Sequence, residues 1–142
     1  MNEPVDIAAL QGAGLFKGLD DDAIVALLSA GEPVTVAAGT AVFTQGDAGD
    51  AMYVVTGGEA RVDTGGRFHI LRKGDFFGEM AVVAPGPRMA TVMAATDLSA
   101  IQIPGSAFAA FVTGHPDVSL AIMRGLALRL REVEQRLDAW MA

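Results

Sequence analysis

Hydrophobic positions change their period twice along this 142-residue chain. Asp20 to Asp22 supply a cap and negative charge for a first helical turn, Ile24, Leu27 and Leu28 share one face, and Gly31 marks a stop. From Pro33 to Pro104 the pattern becomes short β-favouring runs between glycine-rich turns. The predicted strands are Val34 to Ala37, Thr40 to Thr44, Met52 to Thr56, Ala60 to Thr64, Arg67 to Leu71, Ala90 to Ala95 and Leu98 to Ile103. Gly65-Gly66, between Thr64 and Arg67, fits a two-residue hairpin turn with positive φ at both positions. After Pro104 the period is helical again: a short helix around Ser106 to Val112 ends near Gly114, and Pro116 opens a longer one running to about Asp138.

These elements predict a mainly β chain with flanking helices, built on an antiparallel sandwich or roll. No repeat, charged tail or low-complexity linker divides it, so residues 1–142 are expected to form one module. Its parts are an N-terminal helical region (1–32), the roll (33–104) and C-terminal helices (105–142). In the last helix Leu126, Leu130, Val133, Leu137 and Trp140 recur at alternating steps of four and three residues. Such a stripe either packs on its own roll or pairs with a second chain, which would make a homodimer.

Composition removes several classes of function. There is no cysteine, so disulfides, thiolate metal sites and a cysteine nucleophile are excluded. The formal net charge of −7 repels phosphate backbones, and no Lys/Arg cluster offers a track for nucleic acid. The sequence has neither a basic-then-apolar leader after Met1 nor an apolar run of membrane-spanning length, and a soluble, cytoplasmic protein is expected. The Asp20 to Asp22 triplet lacks the alternating oxygen ligands of a calcium loop and reads as a helix start.

The chemistry concentrates between Phe77 and Val92, where a glycine, a carboxylate, a short apolar helix-forming run and a single arginine come together. Glycine lets backbone approach a ligand, a helix start offers unpaired N–H groups to an anion, and arginine matches phosphate oxygens two at a time. The segment could hold a sugar phosphate.

With those residues in view, the chain resembles the cyclic nucleotide-binding domains of catabolite-type regulators, protein kinase A regulatory subunits and cyclic-nucleotide-gated channels. The likeness runs through Leu15-Phe16, Thr44 to Asp50, Met52 to Val55, Gly58, Lys73 to Glu79 and Pro87 to Val92. It implies a double-stranded, jelly-roll-like β-roll with an N-terminal helix, a short cassette helix and two C-terminal helices. By resemblance Arg88 pairs with the charged oxygens of the cyclic phosphate, where a guanidinium offers a planar fork of donors. Gly78, Met80 and Ala81 correspond to the backbone that cradles the phosphate and starts the cassette helix, and Met89 and Ala90 lie beside the ligand. Glu79 matches the residue that accepts the ribose 2′-hydroxyl, a task suited to an acceptor-only carboxylate. Phe77, Thr91 and Val62 are expected near the ligand, Val62 on the base side. Val82 matches the apolar residue that couples the cassette to the C-terminal helices. Trp140, Arg129, Arg131 and Arg136 are the candidates for capping the base.

Some cGMP-selective relatives place a hydroxyl residue directly after the arginine; here Met89 stands there and cannot make that hydrogen bond, which tilts the ligand towards cAMP, with cGMP the alternative. No catalytic residue, metal or cofactor is expected. Cupins share a related barrel and bind metal through clustered histidines, but this chain has only His69, in a predicted strand, and His115, beside Pro116. The expected function is therefore a non-catalytic cyclic nucleotide sensor. The competing readings are a protein-interaction module with a non-functional pocket and a regulatory fragment of a larger channel, kinase or transcription regulator. No effector can be named from these residues.

Overall fold

The computed structural model describes residues 20–78, 82, 84 and 86–141. Leu15-Phe16 and Glu79, Met80 and Ala81 lie outside the described residues, as do the side chains of Leu126, Arg129 and Trp140.

Helix α1 (Asp21–Ser29) begins where Asp20 Oδ1 accepts a 2.8 Å hydrogen bond from the Ala23 amide, and the acidic Asp21 and Asp22 occupy its first turn. Both features favour a helix start, because they satisfy an orphan N–H and oppose the positive end of the dipole. The helix stops before Gly31, whose value here is its size: a β-carbon there would stand 2.7 Å from the Gln102 carbonyl oxygen.

Ten strands follow among the described residues: β1 (Glu32–Val36), β2 (Ala41–Phe43), β3 (Ala48–Gly49), β4 (Ala51–Gly57), β5 (Ala60–Thr64), β6 (Arg67–Leu71), β7 (Phe76–Phe77), β8 (Gly86–Pro87), β9 (Thr91–Ala94) and β10 (Leu98–Pro104). They form two antiparallel four-stranded sheets, ordered β1-β10-β4-β7 and β2-β9-β5-β6, with β3 and β8 paired as a separate ribbon. The chain ends in α2 (Gly105–Gly114) and α3 (Pro116–Met141).

Strand β4 explains how two layers of core coexist. Every residue of it is buried, and the strand period of two sends alternate side chains to opposite faces. Met52 and Val54 join Ile24, Leu27, Ile103, Phe108, Phe111 and Val118, tying the helices to the outside of the first sheet. Tyr53 and Val55 point the other way, into a second cluster with Val62, Phe77, Val92 and Leu98 that fills the space between the sheets. A continuous apolar run is what such a two-faced strand requires.

The strand limits expected for Ala60–Thr64 and Arg67–Leu71 are met, and the turn between them has Gly65 at φ 55° and Gly66 at φ 84°. Three short strands, β3, β7 and β8, had no signature in the hydrophobic pattern. Two-residue strands are too short to show a period, and each exists because a distant strand pairs with it. In α3 the stripe is not packed on the roll along its described part: Leu130, Val133 and Leu137 are about half exposed or more, at 59%, 48% and 51%.

Candidate functional site: a cavity closed by a buried arginine

The ribbon β3–β8 carries the chain from Pro87 into Arg88, with Ala48 opposite Pro87 and Gly49 opposite Gly86. Two backbone hydrogen bonds then clamp Arg88 against the preceding turn: its amide donates to the Asp47 carbonyl at 2.7 Å, and its carbonyl accepts from the Gly46 amide at 2.9 Å. The turn is held in its own right by Asp47, whose Oδ2 accepts the Thr44 amide at 3.0 Å.

From this anchor the side chain runs inward, and the residue is only 6% exposed. Nη2 donates to the Ala51 carbonyl at 2.8 Å and Nη1 to the Gly78 carbonyl at 3.2 Å, while the guanidinium carbon lies 4.0 Å from the centroid of Phe43. A buried cation is costly unless hydrogen-bonded or paired, and backbone carbonyls together with an aromatic face meet part of that cost. Gly78, at φ +80°, adopts a conformation that other residues rarely take, and a β-carbon there would meet Arg88 Nη1 at 2.7 Å. Behind the arginine, Phe43, Tyr53 and Phe77 form an aromatic floor in which Tyr53 and Phe77 stack at 4.9 Å with planes 9° apart. The Tyr53 hydroxyl accepts from Gln102 Nε2 at 3.0 Å.

Arg88, Gly78, Phe43 and Phe77 help to line a cavity of about 640 Å³, within the range of small-molecule sites. Arg88 is the one cation lining it among the described residues. A single row of paired residues crosses the second sheet along its wall. Phe43 on β2 pairs with Val92 on β9, Val92 with Val62 on β5, and Val62 with His69 on β6, and all four line the cavity. Arg88 stands over the Phe43 end of the row; His69 stands at the other.

Of the residues singled out from the sequence, the structure brings Arg88, Gly78, Phe77, Val62, Met89 and Ala90 to the cavity. Met89 is 62% exposed and lies at the rim. Thr91 is not among the lining residues. It pairs with Asp63, on the face opposite Val62, and its hydroxyl accepts the Gln45 amide at 3.0 Å, so it ties the turn to β9. Val82 is helical and partly buried, and packs against the helix-side core. Glu79, Met80 and Ala81 are outside the described residues.

The sequence reading missed Phe43, the Ala51 carbonyl and Gly49. Phe43 looked like any strand phenylalanine, and a backbone carbonyl has no sequence signature. The glycine of the Gly46 to Asp50 turn was a detectable signal, but its partner lies 39 positions on. Among the described residues no group of His, Asp or Glu is arranged to hold a metal ion, and no helix is long and apolar enough to cross a membrane.

Two facing antiparallel sheets with a buried arginine between a glycine turn and a short ribbon define a class, and the family comparison agrees. Residues 33–115 match the model of the cyclic nucleotide-binding domain, and the chain belongs to that family. It is 31% identical over 134 residues to the CRP-like cAMP-activated global transcriptional regulator of Mycobacterium tuberculosis, covering 90% of this chain and 60% of the regulator. It is 33% identical over 110 residues to a cyclic nucleotide-gated potassium channel of Rhizobium etli, covering 78% of this chain and 31% of the channel. The crystal structure of the Thermus thermophilus catabolite activator protein superimposes with a TM-score of 0.81 at 30% identity, over 91% of this chain and 63% of that one. The chain thus spans about 60% of the length of the regulators it matches.

Proposed function

We propose that this chain is a non-catalytic cyclic nucleotide sensor that favours cAMP over cGMP and passes ligand binding on to α2 and α3. The observation that carries the reading is Arg88: a buried guanidinium held by two backbone carbonyls at the wall of a cavity of nucleotide size. A cyclic phosphate is a monoanion, and moving it out of water requires a fixed countercharge with donors matched to its oxygens. Gly78, Ala81, Met89 and Ala90 would surround the phosphate, and Glu79 would accept the ribose hydroxyl. The apolar floor and the Val62 wall suit a purine face. The preference for cAMP is supported by Met89, which has no hydroxyl to offer guanine, and by the name of the mycobacterial relative.

Transmission would run through Val82, which packs with Phe108, Phe111 and Val118 of the C-terminal helices in one cluster. Ligand binding can move these helices only by the difference in its affinity for their two arrangements. The half-exposed Leu130, Val133 and Leu137 support a homodimer through α3, since burial against a second copy would remove an apolar stripe from water. We place residues 1–142 in one sensor module acting in the cytoplasm, with no direct nucleic-acid contact of its own and with an effector yet to be identified.

Calorimetric titration of the purified chain with cAMP and cGMP tests the reading. We expect saturable binding of both, tighter for cAMP. No heat with either ligand at high micromolar concentration, from protein with an intact circular dichroism spectrum, would leave a protein-interaction module as the better account.

A further inference from the structure

Among the described residues, the two four-stranded sheets end in β1 and β7 on one side of the roll and in β2 and β6 on the other. An open edge is a template for another chain's strand, and proteins blunt such edges by shortness, bulges or proline. Three of these edges are blunted in that way: β7 has two residues, β2 has three with a break in register, and β1 carries Pro33. β6 has no such guard. Its five residues contain no proline and pair with β5 without a break from Arg67 to Leu71.

The hairpin decides which groups of β6 are left over. Closure by Gly65-Gly66 makes Thr64 and Arg67 a hydrogen-bonded pair, and the alternation of an antiparallel ladder then bonds Val62 to His69 and Ala60 to Leu71. The N–H and C=O groups of Phe68 and Ile70 consequently point away from β5, along the open edge. The side chains of the same two residues lie on the outer face of the sheet, opposite to His69 and Leu71, which line the cavity. Phe68 is 57% exposed, and its ring lies 4.0 Å from the guanidinium carbon of Arg61, which is itself held by Asp63 at 3.1 Å.

Charge sets this edge apart from the rest of the chain. The protein carries a formal net charge of −7, yet the stretch from Thr64 to Gly74 holds Arg67, Arg72 and Lys73 and no aspartate or glutamate. All three cations are exposed. Arg72 donates from Nε to Glu59 at 2.9 Å, and its Nη groups have no partner among the described residues.

We propose that β6 is a docking edge for an extended acidic segment of a partner protein, which adds a fifth strand to the second sheet. Its backbone would bond to Phe68 and Ile70, its alternate apolar side chains would cover those two residues on the outer face, and flanking carboxylates would meet Arg67, Arg72 and Lys73. Charge complementarity selects this occupant over a second copy, because β6 set antiparallel against β6 would bring the basic residues of the two strands together. The inference stands apart from the nucleotide reading, since Phe68, Ile70, Arg72 and Lys73 do not line the cavity.

The probe is a capped, fluorescein-labelled peptide, Asp-Asp-Val-Thr-Val-Thr-Val-Asp-Asp, titrated by fluorescence anisotropy beside its counterpart with lysine in place of aspartate. Ile70→Pro removes an outward N–H that β5 does not use, so the sheet should keep its melting temperature while the acidic peptide binds about tenfold more weakly. N-methylation of the valines blocks the same bonds from the peptide side, without altering the protein, and should weaken binding to the same degree. Arg72→Glu with Lys73→Glu should lower affinity for the acidic peptide at least threefold and reverse the preference towards the lysine peptide. No saturable binding of the acidic peptide up to millimolar concentration would overturn the proposal, as would equal binding of the two peptides or affinity that survives valine N-methylation. A dimer of the unsubstituted protein that Ile70→Pro dissociates in sedimentation would assign the edge to a second copy and overturn it as well.

Discussion

A β-carbon on Gly49 would stand 2.5 Å from Cζ and 2.7 Å from Cδ of Arg88, so this glycine forms the wall against which the buried guanidinium stem is laid. The two residues are brought together by the β3–β8 ribbon, in which Gly49 faces Gly86 and the chain turns into Arg88 two positions later. Gly49 has no positive φ, so its constraint is space and not backbone conformation.

Replacing Gly49 by Ala should therefore displace the Arg88 side chain without removing any charge. Overpacking of this kind typically costs about 1–3 kcal/mol. We expect a lower melting temperature together with cAMP affinity reduced about tenfold or more. Titration and thermal denaturation of the same preparation would check it; unchanged affinity would mean that the position of Arg88 does not limit binding.

Arg88→Lys tests the fork in place of the charge. A lysine keeps the cation but lacks the planar pair of donors that here reach both Ala51 and Gly78. Affinity for cAMP should fall at least tenfold, and Arg88→Ala should lower it further, by about a hundredfold, corresponding to about 3 kcal/mol for charge-assisted hydrogen bonds. Isothermal titration of the two variants gives the order; equal affinity of Arg88→Lys and the unsubstituted protein would rule out two-point recognition.

Val82 offers a separation of binding from response. It packs with the helix-side core but does not line the cavity. Val82→Ala should retain cAMP affinity to within about threefold and reduce the ligand-induced change in amide exchange across α2 and the start of α3. Full retention of that change, measured by hydrogen-exchange mass spectrometry, would place the coupling elsewhere.

Charging the α3 stripe probes the second copy. Leu130→Lys with Leu137→Lys alters two side chains that are already half exposed, so the roll should keep its melting temperature to within a few degrees. Sedimentation should show loss of a dimer present in the unsubstituted protein. Identical mass distributions for the two proteins would remove α3 as a dimer surface.

The architecture was legible in the sequence wherever a local rule operates. Asp20 caps α1, the paired glycines close β5 onto β6, and Pro116 opens α3, each through interactions spanning a few residues. Arg88 stood out for similar reasons, being a lone arginine in a glycine- and proline-rich segment. Its surroundings did not stand out. Phe43, Gly49 and the Ala51 carbonyl lie 37 to 45 positions away and carry no mark of their role until the sheets close.

Sequence alone, then, determined the order of elements, the turns and the identity of the arginine, because helix caps, glycine turns and apolar periods are short-range physics. Tertiary structure decided that Arg88 is buried and fixed by backbone carbonyls, that Thr91 faces away, and that Phe43, Val92, Val62 and His69 form one row. Those facts depend on strand pairing between distant segments, and a shift of one residue in any one pairing would turn the slipped strand's member of the row to the opposite face.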